Sequence, residues 1–253
     1  MKTRILICGA CGKMGGNVLS LLEHDQTAVA VAGVDLFPKE IGVPVYQNFA
    51  NVQEQADVII DFSSAQNLQE RLDYAKANKL GVVLASTGFN KDDLALIEEY
   101  SKEIAIFKTA NLSLGVNLMQ ALCKAAAEIL GDNYDVEIIE RHHNLKKDAP
   151  SGTALMLADT INEVFDNQKK YVNGREGIVG ERKREEIGIH AVRGGTIVGE
   201  HEVAFCGEDE IITITHSARS KRVFAVGAIR AAKFLYGKPA GLYAMKDLLD
   251  QDK

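Results

Sequence analysis

The stretch RILICGACGKMGGNVLSLL, Arg4 to Leu22, constrains the fold more than any other part of the chain. Ile5, Leu6 and Ile7 form a continuous apolar run, which suits a strand buried on both faces. Gly9, Gly12 and Gly15 follow at G-x-x-G-x-x-G spacing, and Met14, Val18, Leu21 and Leu22 then mark one face of a helix. A glycine-punctuated turn from strand to helix lets an anion approach the helix start, where backbone amides and the dipole favour negative charge. The spacing differs from the commoner G-x-G-x-x-G, so the motif gains its meaning from what surrounds it.

The next apolar run, AVAVAGVD, ends in Asp35, twenty residues after Gly15, where a carboxylate would take the ribose hydroxyls of an adenosine. ADVIIDFSS follows, then a helix through Leu68, Leu72 and Ala75, then GVVLAST, another helix, and IAIFKTAN. Val/Ile-rich strands alternating with helices predict a doubly wound parallel sheet with right-handed crossovers. Each strand ends in small or polar residues: Asp61-Phe62-Ser63, Ala85-Ser86-Thr87-Gly88 and Thr109-Ala110-Asn111. Ligands of such sheets bind at those carboxyl ends. The carboxylate of Asp35 suits the free 2′-hydroxyl of NADH, and Leu36 follows it with no arginine nearby. Lys13 and Lys39 still leave NADPH open. Cys8 and Cys11 spell C-x-x-C, but without a second ligand pair the spacing carries neither a zinc nor a redox site.

After Asn111 the pattern changes. SLGVNLMQALCKAAAEILG predicts a helix with Leu118, Leu122, Ala125, Ala126 and Ile129 on its apolar face, stopped by Gly131. YDVEIIERHH predicts a strand that delivers His142 and His143 at its end. PSGTALMLADTINEVF predicts a helix capped by Ser151, with Ala154, Leu157, Ala158, Ile161 and Phe165 inward. Residues 167–186 are polar and glycine-punctuated, a long loop or lid. EIGIHAVRGG, TIVGEHEVAFCG and DEIITITHSA then alternate like antiparallel strands, and VFAVGAIRAAKFLYG closes as a helix suited to the first domain. The predicted class is α/β: a Rossmann-type doubly wound parallel sheet in residues 1–112 and 222–253, with an inserted α+β domain for substrate and oligomerisation in 113–221.

The stretch ERHHNLKKDAPSGTA concentrates two histidines, two lysines and a helix start in a chain whose formal net charge is −6. His142, His143 and Lys146, with the amides of Gly152 and Thr153, make a compact anion site holding two proton-transfer candidates. Lys147 reads as a surface residue. Adjacent histidines on a strand point to opposite faces, so a metal site is not expected. The acidic balance argues against nucleic acid and membrane surfaces as partners, and no apolar run approaches the roughly 20 residues of a membrane helix. Four cysteines make no disulfide framework, and the start of the chain lacks the apolar core of a signal peptide, so the expected compartment is the cytoplasm.

Several motifs together resemble the 4-hydroxy-tetrahydrodipicolinate (dihydrodipicolinate) reductase family: GACGKMG at 9–15, DFS at 61–63, STGF at 86–89, ANLSLGVN at 110–117, ERHHNLKKDAPSGTA at 140–154 and FAVGAIR at 224–230. The resemblance runs the length of the chain, and its H-H-x-x-K-x-D-A-P-S-G-T block is highly specific. It implies reduction of a cyclic dicarboxylate, with loss of water, to tetrahydrodipicolinate in the diaminopimelate route to lysine, using NADH or NADPH. It implies His142 as acid/base and Lys146 as proton donor, with His143, Gly152 and Thr153 on the substrate dicarboxylate. Gly9, Ala10, Cys11, Gly12, Lys13, Met14 and Asp35 would line the cofactor, with Ala85, Ser86, Thr87, Thr109, Ala110, Asn111 and Leu112. A homotetramer assembled through the second domain is also implied. The chain departs from the family pattern at Cys11 and Ala85, where glycine is usual, at Leu112, where phenylalanine is usual, and at Leu36, where arginine often follows the ribose acid. The rival readings are another two-domain dehydrogenase, which would not need the His-His-Lys block, and an NAD(H)-sensing regulator, which would carry a basic DNA-reading element absent from this sequence.

Overall fold

The computed structural model describes residues 1–86 and 88–251. The chain divides into two compact units, Met1–Ser113 with Arg222–Lys253, and Leu114–Lys221. The first begins with β1 (Thr3–Cys8), α1 (Lys13–Leu22), β2 (Ala28–Val34), β3 (Val45–Tyr46), β4 (Val58–Asp61), α2 (Leu68–Asn78), β5 (Gly81–Leu84), α3 (Lys91–Tyr100) and β6 (Ala105–Lys108). Its strands pair in parallel in the order β6-β5-β4-β1-β2-β3. Ile5, Leu6, Ile7, Val58, Ile59, Ile60, Val82 and Val83 have no exposed surface, as strands covered by helices on both faces require. Each such side chain contributes roughly 1.5–3 kcal/mol of burial. The inward face of α1 is Gly15, Val18, Leu19 and Leu22, so the Met14 and Leu21 expected there give way to Gly15 and Leu19. A reciprocal capping box between Asn90 and Asp93 starts α3.

The second unit contains α4 (Leu114–Leu130), β7 (Asp135–His142), α5 (Gly152–Val164), β8 (Lys170–Asn173), β9 (Glu186–Arg193), β10 (Gly199–Cys206) and β11 (Ile211–Ala218). Its sheet runs β11-β10-β7-β9-β8. The last three strands are therefore not a simple antiparallel run. β10 is antiparallel to both β7 and β11, whereas β9 pairs in parallel with β7 and β8. The excursion through α5 is long enough to return the chain parallel to β7, which a tight hairpin cannot do. Part of the expected loop at 167–186 is the edge strand β8. The connector after it is tied down where Arg175 and Arg182 both donate to the carboxylate of Glu137.

Helix α4 packs on a different face from the expected one. Val116, Met119, Cys123 and Ala127 are buried, while Leu118, Leu122 and Ile129 are 56%, 48% and 82% exposed. The helix is apolar nearly all round, so periodicity alone does not choose a side. The narrower strip faces Val136, Ile138, Leu157, Ile161, Val203 and Phe205 in the core.

The chain then returns to the first unit with α6 (Arg222–Leu235), β12 (Gly241–Tyr243) and α7 (Met245–Gln251). β12 extends the parallel sheet beyond β6. α6 packs on α1 and on β4, β5 and β6. A Cβ at Gly227 would stand 1.8 Å from the Leu112 carbonyl oxygen, so only glycine admits that approach.

Candidate functional site

In the first unit, β6, β5, β4 and β1 end side by side, which gathers the loops after each strand along one edge. Gly9 leaves β1 with φ +72°, and a Cβ there would lie 3.0 Å from the Phe62 carbonyl group. A Cβ on Gly15 would lie 2.4 Å from Gly9 O, so α1 is seated directly on the glycine turn. Gly12 occupies the N-cap with no side chain capping the helix and no acidic residue in its first turn. The positive end of α1 is thus left to an anion. Asp35 follows β2 and braces the turn: Oδ2 accepts from the Cys11 amide at 2.9 Å and Oδ1 from the Phe37 amide at 3.0 Å. Each carboxylate oxygen keeps a second acceptor position, as two ribose hydroxyls would need. A cavity of about 300 Å³ opens here, lined by Gly9, Asp35, Leu36, Phe37, Ser63 and Ser64 among others. A helix start open to an anion, a carboxylate with acceptor positions to spare and an apolar rim fit a dinucleotide.

The strand-end carboxylate Asp61 has a structural task. It is fully buried and lies 2.9 Å from Nε of Arg71, whose other nitrogens donate to Gln66 O and Ser64 O at 2.7 and 2.6 Å. Asp61 Oδ1 also accepts from the Ser63 amide and hydroxyl at 2.9 and 2.5 Å. This pair shapes the loop lining the cavity. Ala85 donates its amide to Asp61 O at 2.9 Å, and the Ser86 hydroxyl approaches Asp61 Oδ2 at 3.5 Å. Thr109 Oγ1 donates to Asn111 O at 3.0 Å, and Leu112 is buried. Ala10 is buried too, so it faces the turn through its backbone. Lys13 and Met14 open α1, and Ala110 lies in the turn after β6. Thr87 lies outside the described residues. Burial raises the Cys8 thiol well above its ordinary value, so it stays protonated and packs as an apolar side chain.

In the second unit, β7 alternates: Val136, Ile138 and Glu140 point inward, and His142 ends the strand. The Glu140 carboxylate is fully buried. It accepts from His142 Nδ1 at 2.6 Å, from both terminal nitrogens of Arg193 at 2.7 Å, and from the Ser151 amide at 3.0 Å. Burial alone would raise this carboxyl, but Arg193, His142 and the Ser151 amide outweigh it and hold the group below its ordinary range. Ser151 caps α5 by accepting from the Ala154 amide at 3.2 Å, and its hydroxyl meets His201 Nε2 at 2.9 Å. Gly152 opens the first turn with nothing within 4 Å of its Cβ position, and Thr153 follows it. The His201 ring stands edge-on to His142, centroids 5.3 Å apart. Burial, with the charges of His142 and others, lowers His201 to about 4, so it is neutral near pH 7. Lys146 pairs with the Asp148 carboxylate at 2.8 Å, and Lys146 N donates to His143 O at 3.1 Å. Nδ1 of His143 is buried with no hydrogen-bond partner among the described residues.

This geometry gathers His142, His143, Lys146 with its Asp148 partner, and the start of α5 around one turn, where imidazoles, an ammonium and helix-start amides could meet an anion and exchange a proton. Residue type alone does not single out Glu140, Arg193 and His201. The signal was present: period-two alternation from Val136 and Ile138 puts Glu140 on the inward face, and a carboxylate there requires a buried partner.

Among known proteins, family models for the N- and C-terminal parts of dihydrodipicolinate reductase match residues 3–112 and 115–249. The 4-hydroxy-tetrahydrodipicolinate reductase of Caldanaerobacter subterraneus subsp. tengcongensis is 51% identical over 98% of this chain and 99% of its own length. That of Clostridium novyi is 45% identical over 98% of each. The dipicolinate-bound dihydrodipicolinate reductase from Paenisporosarcina sp. TG-14 superposes with a TM-score of 0.80 at 26% identity, over 96% of this chain and 98% of that one. A scyllo-inositol dehydrogenase from Lactobacillus casei shares the fold alone, with a TM-score of 0.59 at 13% identity over 99% of this chain and 90% of that one.

Proposed function

The chain belongs to the dihydrodipicolinate reductase family, and from its site geometry we propose how it reduces 4-hydroxy-tetrahydrodipicolinate to tetrahydrodipicolinate on the way to diaminopimelate and lysine. The first unit binds the nicotinamide cofactor and the second binds substrate. A bound dihydronicotinamide supplies the hydride. The chain's own residues do the rest. Loss of the 4-hydroxyl as water leaves a conjugated imine, and hydride addition to it builds electron density that a proton must quench. His142 supplies that proton and is reprotonated from solvent, with Lys146, paired with Asp148, as a second donor. His143 and the first-turn amides of Gly152 and Thr153 hold the dicarboxylate, as a helix start favours. The observation that carries this reading is the convergence of His142, His143 and Lys146 on the turn that opens α5.

On the cofactor side, Gly9, Ala10, Cys11, Gly12, Lys13 and Met14 cradle the pyrophosphate, and Asp35 takes the adenosine ribose. Ala85, Ser86 and Thr109 to Leu112 line the nicotinamide end. NADH is the preferred donor, because Asp35 repels a 2′-phosphate and Leu36 offers it no cation. Assembly is a homotetramer through the second unit, supported by the exposed Leu118, Leu122 and Ile129. The cytoplasm is the compartment, supported by four free thiols. Among the described residues no helix is long and apolar enough to cross a membrane.

The test is steady-state kinetics on substrate with NADH and NADPH in parallel. His142→Gln should lower kcat by about 10² to 10⁴ with NADH affinity unchanged. Lys146→Ala should lower kcat and raise KM for substrate. Wild-type turnover by His142→Gln contradicts the assignment, and a higher kcat/KM with NADPH contradicts the cofactor preference.

A further inference from the structure

His142 is the outer end of a buried assembly. Glu140 stands two residues earlier, on the same face of β7. Its two oxygens receive four donors, two each: His142 Nδ1 and one Arg193 nitrogen on Oε2, the other Arg193 nitrogen and the Ser151 amide on Oε1. An ionised carboxylate offers about four acceptor positions, so this one is saturated and cannot swing. Arg193 is the cross-strand neighbour of His142 on β9, and it is anchored in turn on Asp148 O at 2.7 Å.

We propose that Glu140, locked by Arg193 and the Ser151 amide, is a positioning residue that fixes the tautomer and ring plane of His142 for proton transfer. The proposal rests on the reading of His142 as the acid/base group. A carboxylate at 2.6 Å can only accept, so the proton on Nδ1 is held and Nε2 becomes the nitrogen that exchanges with substrate. Buried carboxylates orient imidazoles in hydrolytic triads by the same logic. The other groups around His142 do not compete for Nδ1. His201 on β10 is neutral and committed to Ser151, Lys146 is paired with Asp148, and Gly199 has no side chain. A Cβ on Gly199 would lie 3.1 Å from His142 Nε2, so the missing side chain leaves that nitrogen room.

Two measurements test this. Glu140→Gln alone would strand Arg193 as a buried unpaired charge, so the informative variant is Glu140→Gln with Arg193→Gln, which removes both charges together. Its kcat should fall about a hundredfold, with NADH affinity held within about twofold. Adding His142→Gln to that pair should cost little more, because residues acting as a unit are not additive. A near-wild-type kcat in the double variant, while His142→Gln is impaired, overturns the positioning role alone. Full turnover by His142→Gln overturns the acid/base reading beneath it. Independently of any variant, ¹⁵N-histidine NMR of the wild-type enzyme at alkaline pH should show His142 protonated at Nδ1. An Nε2-protonated ring overturns the proposal.

Discussion

Gly15 and Gly199 act by the same means in the two units: each omits a Cβ where a functional group must come close. At Gly15 the neighbour is backbone, Gly9 O at 2.4 Å from the missing atom, and backbone has nowhere to go. Gly15→Ala should therefore unseat α1 from the glycine turn and weaken NADH binding tenfold or more, on the order of 1.4 kcal/mol; unchanged affinity by fluorescence titration would contradict the proposed cofactor cradle. At Gly199 the neighbour is the His142 ring, which can give by a few tenths of an ångström. Gly199→Ala should lower kcat about tenfold through that displacement, with NADH affinity unaffected; a rise in the cofactor dissociation constant would contradict a local effect. Residues of this kind differ in how legible they are. Gly15, Asp35 and His142 announce themselves by type and spacing. Gly199 and Arg193 do not, because what they do depends on which strand lies alongside, and pairing across β7, β9 and β10 is not written in any one segment.

At the scale of elements, the parallel sheet was readable because each strand is a compact Val/Ile run and each crossover a recognisable helix. The second sheet was not, since strand neighbours there follow from how far α5 carries the chain. The inward face of α4 was missed because Leu118, Leu122 and Ile129 are larger and no less apolar than the residues that do pack inward. The connector between β8 and β9 is held by side chains rather than by a ladder. Arg182 donates to Asp135 and Glu137 at 2.7 and 2.8 Å, and to Val136 O and Glu186 O at 3.1 and 2.8 Å. Arg182→Ala should free this connector, and limited proteolysis should then cut within residues 174–185 well before the rest of the chain. Cleavage at the wild-type rate would mean that the other ties suffice.

For the whole molecule, a buried histidine and a partly buried carboxylate contribute to the acid limit of stability. His201 titrates near 4 in the folded chain against roughly 6.5 when unfolded. Between those values the unfolded state binds the extra proton, so stability is complete above about pH 6.5 and falls as pH drops toward 4, by up to about 3 kcal/mol. Glu137 extends the loss. Burial raises it, but Arg175, Arg182 and His190 together bring it down to about 2, so its contribution fades as pH falls from about 4.5 toward 2. Denaturation midpoints taken against pH should slope through both windows, and His201→Gln should flatten the upper one. A wild-type curve level from pH 6.5 to 4 would contradict the burial of a neutral imidazole.

Enzymatic turnover is the sharpest test of substrate and cofactor. The purified protein is coupled to the synthase that makes 4-hydroxy-tetrahydrodipicolinate, and pyridine-nucleotide absorbance is followed with NADH and NADPH in parallel. Cofactor should be oxidised only when the synthase product is present, faster at low cofactor with NADH. Cofactor that binds yet is not consumed would leave the nucleotide site standing and contradict the assignment of the His142–Lys146 turn to this substrate.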